Sequence, residues 1–502
     1  MRKLWLVALL LIALAAWLYQ VAGVRLALDG SGYIPRFLST APDYDALDAD
    51  RERQRHEAVA RPEPSPALRN ATPATAIEPP QVPAPAPQVD AADAAAAGSP
   101  VSANPPAQLT PAAGGEEPSW ADFRGAERDG RYRGEPILTD WSPDGLTQLW
   151  KHPIGLGYAS FVVAGDRAFT IEQRRNEEVV AAYDVATGRE LWTVRWEGEF
   201  RESMGGNGPR ATPTYHDGRL YALGAFGELR CLNAATGEEI WRVNILEDND
   251  ARNLGWGMSA APLIVDDTVV VLPGGPGGNS VVAYHRVTGE RVWSALDDRQ
   301  AYTSPMLVTI AGVRQILIVS ATRALGLTPD GTRVLWDYPW PTSQGINTAQ
   351  PLLLGADRVF LSASYGQGAA VFEVVPEGDG FATRTIWENQ RMKNKFTSSV
   401  LHEGYIYGLD ESILACVDAA TGEVQWKAGR YGYGQIMIAG DRLIVLTEDG
   451  EVVQVRATPE RHEELGSFQA IEGKTWNHPV IADGRLLVRN IREMAAFDIG
   501  AE

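Results

Sequence analysis

Along residues 119–502 short apolar runs alternate with turn residues in a recurring order. Small or polar residues, often with Pro, precede an apolar run, a turn and a second apolar run. Ala211-Thr212-Pro213 before Asp217-Gly218-Arg219-Leu220-Tyr221 is one copy, and His478-Pro479-Val480 before Asp483-Gly484-Arg485-Leu486 is another. A second unit follows, and four copies of it align without gaps: DVATGRELW ending at Trp192, NAATGEEIW at Trp241, HRVTGERVW at Trp293 and DAATGEVQW at Trp426. TPDGTRVLW, ending at Trp336, is degenerate, and the copy ending at Trp387 keeps little beyond its Trp. Each full unit reads as four short strands. An Asp-Gly or Gly-Asp pair turns the first hairpin and Thr-Gly the last, because Gly supplies positive φ without strain.

Fixed-period self-similarity at about 40 to 50 residues is the length of a four-stranded propeller blade. The Trp positions are 150, 192, 241, 293, 336, 387 and 426. A seventh unit runs from near Tyr433 to Phe468 without its Trp, and an eighth from near Trp476 to Phe497 stops one strand short. Thr147-Gln148-Leu149-Trp150 has an outer-strand Trp with no blade before it, so it is expected to complete the eighth blade and leave no exposed edge at the seam. The predicted fold is all-β, an eight-bladed propeller over 119–502; seven blades result if Val359 to Trp387 is an insertion. Each Trp is expected to cover a neighbouring blade while its N–H finds a backbone carbonyl.

The N-terminal region differs. After Met1-Arg2-Lys3 an apolar run extends from Leu4 to Val24, and about 20 apolar residues cross a bilayer as a helix. Residues 1–28 are therefore expected to be a transmembrane anchor or uncleaved signal, with Arg2 and Lys3 on the cytoplasmic side. A signal peptide cleaved after Ala13-Leu14-Ala15 is the rival. No Cys follows the run, so bacterial lipoprotein attachment is not expected. Residues 29–118 hold half of the 32 prolines and are expected to form a disordered, extended Pro/Ala-rich linker. The expected location is the inner membrane, single-pass, with the propeller in the periplasm.

The net charge of −19 and the absence of a basic stripe argue against nucleic acid. Cys231 and Cys416 share one repeat position, filled by Ala182 and Ala283 in sister blades, so each reads as a small buried residue and a free thiol. The histidines show no metal-ligand spacing, and no metal is assigned.

The A-x-D-x-x-T-G-x-x-x-W pattern resembles the tryptophan-docking repeat of quinoprotein dehydrogenases and of the outer-membrane assembly propeller. Trp120-Ala121-Asp122-Phe123-Arg124-Gly125, leading to Leu149-Trp150-Lys151 and Gly155-Leu156-Gly157-Tyr158, resembles bacterial pyrroloquinoline-quinone-binding-like propellers. The dehydrogenase resemblance implies pyrroloquinoline quinone with Ca²⁺ in the central channel. Against it, the chain has no adjacent cysteine pair, no matching Ca²⁺-binding carboxylates or catalytic Asp, and no haem motif. No cofactor and no catalytic residue is assigned.

In a propeller the loops leading into the inner strands ring one mouth of the channel. Those loops supply Tyr158, Arg201, Asn207, Arg210, Trp256, Tyr302, Gln344, Asn347, Lys395, Tyr433, Trp476 and Asn477 as candidate ligand contacts. Aromatics, amides and fixed cations suit an anionic or planar ligand or an extended peptide; polar residues that bond only water and loop backbone are the bland alternative. Most carboxylates are expected elsewhere. Met204-Gly205-Gly206-Asn207-Gly208-Pro209-Arg210 is expected to allow close approach of a ligand. The expected function is a non-catalytic binding or scaffolding module at the bacterial cell envelope, with a protein or small-molecule partner at the propeller face; the alternative is a quinone-dependent dehydrogenase with an atypical site.

Overall fold

The computed structural model describes residues 24–28, 33–37, 43–60 and 118–501. Residues 162–498 form eight antiparallel four-stranded sheets, with the outer strand of the last supplied from upstream. Blade 1 spans Val162 to Glu197, blade 2 Thr214 to Asn244, blade 3 Leu263 to Ala295 and blade 4 Met306 to Pro339. Blade 5 spans Leu352 to Asn389, blade 6 Val400 to Arg430, blade 7 Gln435 to Gln469 and blade 8 Val480 to Asp498. The segment around Val359 to Trp387 is a complete blade, so the seven-blade alternative falls.

The seam closes as the repeat predicts. The strand Gln148–Pro153 pairs antiparallel with Glu493–Asp498, placing Trp150 opposite Ala496 and Pro153 opposite Glu493. Second and third strands are buried along most of their length, as in Arg219–Leu223 and Glu228–Asn233 of blade 2, whereas the outer strand Glu239–Asn244 is mostly solvent-exposed. Stacked blades cover both faces of a middle strand, so its sequence reads as an apolar run rather than an alternation.

Trp docking fastens the blades at large radius. The Nε1–H groups of Trp150, Trp192, Trp241, Trp387 and Trp426 donate to the carbonyls of Val185, Ala234, Arg286, Ala419 and Thr458, each in the following blade, over 2.8–3.2 Å. Under the rings of Trp150, Trp192, Trp241 and Trp387 lies the Gly of the next blade's turn, and His462 stands edge-on to Trp426. Gly289 has φ +75°, and a Cβ there would come within 2.8 Å of Trp241. Blade 4 departs from this scheme: Trp336 donates to Gln315 within its own blade at 2.6 Å, and Tyr338 stacks on Phe372 of blade 5 at 4.1 Å. Where blade 7 lacks its Trp, Phe468 packs against Phe497 at 4.9 Å and against Trp141, from the segment before the seam strand, at 5.7 Å.

A second fastening runs round the channel. Ser160 N–H donates to Thr212 Oγ1, Thr214 Oγ1 to Pro262 O, Ala261 N–H to Ser304 Oγ, and Ser304 N–H to Gln350 Oε1. Gln350 N–H donates to Ser398 Oγ, Gln435 Nε2 to Phe396 O, His478 Nε2 to Ile436 O, and Ser160 Oγ to His478 O. These bonds link every neighbouring pair of blades and return to the start. The recurrent small-or-polar residues before the inner strands are this belt.

The N-terminal expectations need correction where residues are described. The apolar run Leu4 to Val24 lies outside the described residues except for Val24. Val24–Leu28, assigned to the anchor, is a strand (β1) paired antiparallel with Tyr33–Phe37 (β2). Among the described residues no helix is long and apolar enough to cross a membrane. Within the segment expected to be an extended linker, Tyr44–Ala60 forms a helix (α1) docked on the propeller. Its buried face is Leu47, Asp50, Arg51 and Gln54. That is a helical spacing of i, i+3, i+4 and i+7, but three of the four residues are polar, so hydrophobic periodicity does not reveal it.

Gly289→Val is expected to expel the Trp241 ring, at a cost comparable to the about 3–5 kcal/mol of a Trp→Ala truncation. Thermal unfolding checks this; an unchanged midpoint would show that the ring does not depend on the glycine.

Candidate functional site

The loops entering the inner strands share a face with the turns joining second to third strands. Trp476, entering blade 8, donates Nε1–H to Glu448 in such a turn of blade 7 at 3.0 Å. Ser343 N–H, in the loop entering blade 5, likewise reaches Tyr365 O at 3.0 Å. The mouth is therefore built from both sets, and reading only the first missed half of it.

A run of aromatics lines this mouth. Tyr158 and Trp476 have ring centroids 5.3 Å apart, Trp476 and Phe396 4.2 Å, and Phe396 and Tyr433 5.0 Å. Trp256 and Tyr302 are 5.4 Å apart. Tyr365 lies between these groups, its hydroxyl pushed up to about 12 by burial and by the facing Tyr302 and Tyr433. Cations cover the rings: Lys474 Nζ lies 3.4 Å from the Trp476 centroid, Lys395 Nζ 4.6 Å from that of Tyr433, and Arg210 Cζ 5.5 Å from that of Tyr158. Such placements are attractive through the ring quadrupole and strengthen when desolvated.

Of the twelve candidates, Tyr158, Arg210, Trp256, Tyr302, Lys395, Tyr433 and Trp476 belong to this arc. Gln344 joins Trp256, Tyr302 and Arg299 around a cavity of about 800 Å³. Asn347 and Asn477 are buried and spend their amide N–H groups on Ser320 O and Trp340 O, and on Gly157 O and Ala159 O, so they position loops. Asn207 Oδ1 accepts Glu202 N–H inside its own loop, and Arg201 is exposed and paired with Glu199. The Gly-rich loop approaches its own protein: Gly205 O accepts both Tyr158 OH and Lys474 Nζ at 2.6 Å. Two carboxylates, Glu202 and Glu448, do sit among the aromatics. Tyr365, Phe396 and Glu448 were not among the candidates, whereas Lys474 belongs to the same loop reading as Trp476 and Asn477; the four-strand meander alone, which puts second-to-third turns at the mouth, could have flagged Tyr365 and Glu448.

Below the mouth the channel is crossed by residues 120–132. Arg128 donates to Ala261 O and Pro305 O at 3.2 and 2.7 Å, in blades 3 and 4, and to Asp122 at 2.8 Å. Arg124 reaches Ser399 O and Ile436 O at 2.7 and 3.4 Å, in blades 6 and 7. Asp122 meets Thr214 of blade 2, and Trp120 stacks on His478 of blade 8. Both guanidinium groups are 1% exposed. The flanking strands Pro118–Trp120 (β3) and Arg131–Tyr132 (β4) extend the sheets of blades 1 and 7 inward. The mouth is thus a cup closed at its base.

This floor bears on the quinone. Pyrroloquinoline quinone with Ca²⁺ needs free channel volume and clustered carboxylates, but buried arginines fill the channel with their N–H groups turned to carbonyls. Among the described residues no group of three His, Cys, Asp or Glu is placed to hold a metal ion. The residues present do not fit that pair. Cys231 and Cys416 are free and buried, their thiols pushed up to about 12 by desolvation.

Eight blades, five of them fastened to the next by a Trp N–H and the ring closed by an upstream strand, define a propeller of the pyrroloquinoline-quinone-repeat class. The family model described as outer membrane protein assembly factor BamB matches residues 176–428, half of the chain, and the chain belongs to that family. It is 23% identical over 329 residues to the outer membrane protein assembly factor BamB of Burkholderia pseudomallei, covering 62% of this chain and 76% of that protein. In structure it resembles the quinohemoprotein alcohol dehydrogenase of Comamonas testosteroni, with TM-score 0.54, 14% identity, and 77% and 81% of the two chains covered. It also resembles BamB from Moraxella catarrhalis, with TM-score 0.49, 17% identity, and 70% and 97% covered.

Two outcomes follow from these contacts. Arg128→Met removes the guanidinium donors to Ala261 O, Pro262 O, Pro305 O and the Asp122 carboxylate and is expected to cost about 3–5 kcal/mol, read from denaturant unfolding; a cost below that of an ordinary surface substitution would refute the hub. Glu178, buried between blades 1 and 2, has its carboxyl pushed up to about 7 by desolvation, opposed by bonds from Ala225 N–H and Trp196 Nε1–H. A raised folded-state value means that its stabilising proton is held fully below the unfolded value near 4.5 and lost as pH rises through about 7. Glu178→Gln is therefore expected to gain melting temperature relative to the native protein between pH 5 and pH 8, and parallel profiles would count against it.

Proposed function

We propose that this protein is a non-catalytic, protein-binding scaffold of the cell envelope, acting in outer-membrane protein assembly, and that it receives its partner at the aromatic mouth. The reading draws on the family and on the relative named for that assembly. The observation that carries it is the cup itself: a run of aromatics under lysine and arginine, closed below by residues 120–132. A closed cup cannot thread a chain. It can take a loop or side chains of an extended segment, with rings supplying apolar area and loop carbonyls and cations holding backbone and carboxylates. Exposed Met204, in the Gly-rich loop beside Trp256 and Tyr158, adds apolar surface at the rim. In this reading the N-terminal apolar run tethers the propeller to the inner membrane from the periplasmic side.

A benzoylphenylalanine placed at Tyr433 in the full-length protein is expected to cross-link envelope proteins, and the captured partner, once purified, to lose about tenfold or more in affinity for Trp476→Ala, as for a central hot spot. The variant should keep its melting temperature to within a few degrees. Unchanged affinity removes the mouth from the interface. Dye reduction by the purified protein with pyrroloquinoline quinone, Ca²⁺ and an alcohol would favour the dehydrogenase reading instead.

A further inference from the structure

The groove where the outer strand of blade 8 meets blade 1 is built to receive a guanidinium. Arg51 of α1, 4% exposed, donates Nε–H to Glu190 at 3.1 Å and Nη2–H to Pro153 O at 3.0 Å. Its Cζ lies 5.2 Å from the centroid of the Tyr183 ring. Tyr183 OH donates to Glu172, which is wholly buried beneath and held by Arg174, and the hydroxyl oxygen accepts from Arg174 Nη2 at 3.1 Å and from Arg51 Nη2 at 3.4 Å. Glu190 N–H donates to Gln54 Oε1 at 2.9 Å. Asp50 lies 3.3 Å from His152, whose other ring nitrogen is 3.0 Å from Thr187 O. A carboxylate, one carbonyl and a phenol oxygen present acceptors to Arg51. Only a planar group with several N–H donors meets the three that surround Arg51; a lysine ammonium at the end of a flexible stem reaches fewer.

The docked helix is weakly fastened for its length. Its buried stripe has one apolar side chain, Leu47, and its outermost tie is the exposed pair Asp48–Arg175 at 2.6 Å. Buried polar contacts and ion pairs give back much of their attraction in desolvation and add little net stability, and a helix of this length is marginal alone. Docked and free states are therefore close in free energy.

We propose that this groove is a second binding site, separate from the mouth, for an arginine-bearing helix, and that residues 44–60 of this chain enter and leave it. Docking sets the chain between the apolar run and the propeller: residues 25–43 when docked, 25–117 when free. This consequence rests on the tether reading above, whereas the site itself does not.

The test uses the full-length chain carrying Asp48→Cys and Arg175→Cys with a short bismaleimide; buried Cys231 and Cys416 do not compete. An intramolecular link between the two positions is expected by mass spectrometry. Excess free peptide of residues 43–60 should lower its yield several-fold, the same peptide with Arg51→Lys should not, and Arg51→Lys in the chain itself should lower it without any peptide. Absence of the link overturns docking, a yield indifferent to peptide overturns exchange, and equal competition by the lysine peptide overturns the guanidinium preference. None of these results depends on the Trp476→Ala affinity measurement, so the mouth and the groove stand or fall separately.

Discussion

The inner strands of a propeller present backbone edges to a narrow channel; in blades 1 and 7 β3 and β4 pair with them, and the remaining edges must find partners other than a fifth strand. Here they find them in the circle of side-chain bonds from Ser160 through Thr214, Ser304, Gln350, Gln435 and His478 back to Ser160. Proline just before an inner strand, as at Pro213, Pro262, Pro305, Pro351 and Pro479, removes a donor that the channel could not satisfy. Leaving such a group unpaired costs more than making the bond gains, so the belt acts mainly by prohibition. It fixes the inner radius, and the docked Trp rings then fix the outer one.

The same requirement accounts for the N-terminal segment. Carbonyls of Ala261, Pro305 and Ser399 point inward beyond the belt's reach, and Arg124 and Arg128 answer them from a single short loop, Arg128 also sharing Pro262 O with Thr214. Two cations can be buried there because their N–H groups point mainly at carbonyl dipoles and Asp122 supplies an opposite charge. Continuing from that loop, the chain packs Trp141 beside Phe468, where blade 7 lacks its Trp, and then closes blade 8. A floor across the channel, a patch beside blade 7 and the seam strand come from one stretch of sequence, and the floor makes the mouth a cup rather than a pore.

What could be read beforehand follows from what repeats. The outer-strand Trp recurs in seven of eight units and the Thr-Gly turn intact in four, so blade number, seam and buried cysteines were legible, and even Phe468 could be counted by its spacing. Residues that occur once were not. Arg124 and Arg128 gain meaning only when carbonyls of four blades converge on them. The face of α1 carries Asp50, Arg51 and Gln54 where a pattern reader expects leucines, in a region whose overall composition is that of a tether. At the mouth the loops were found but their side chains were not sorted: Asn347 and Asn477 read like ligand contacts because an amide serves a ligand and a buried carbonyl equally well, and only burial separates the two uses.

The two proposed binding surfaces differ in how firmly the fold holds them. The aromatic arc stands on loops pinned by the belt, with Asn347 and Asn477 locking entries to blades 5 and 8, so its rings are pre-positioned and a partner loses little entropy in ordering them. The seam groove is preformed on its propeller side through Glu172, Arg174 and Tyr183, but its occupant is a helix without an apolar spine. A rigid cup and a loosely held strap suit different tasks: the first discriminates among partners by shape, and the second can change the reach of the tether without disturbing that discrimination. The buried network under Tyr183 keeps them apart, since Glu172 is already satisfied by Arg174, Tyr183 and Gly155 N–H and needs nothing from α1. Release of the helix therefore exposes Glu190 and the Tyr183 hydroxyl to water while leaving the blades, and the mouth they carry, in place.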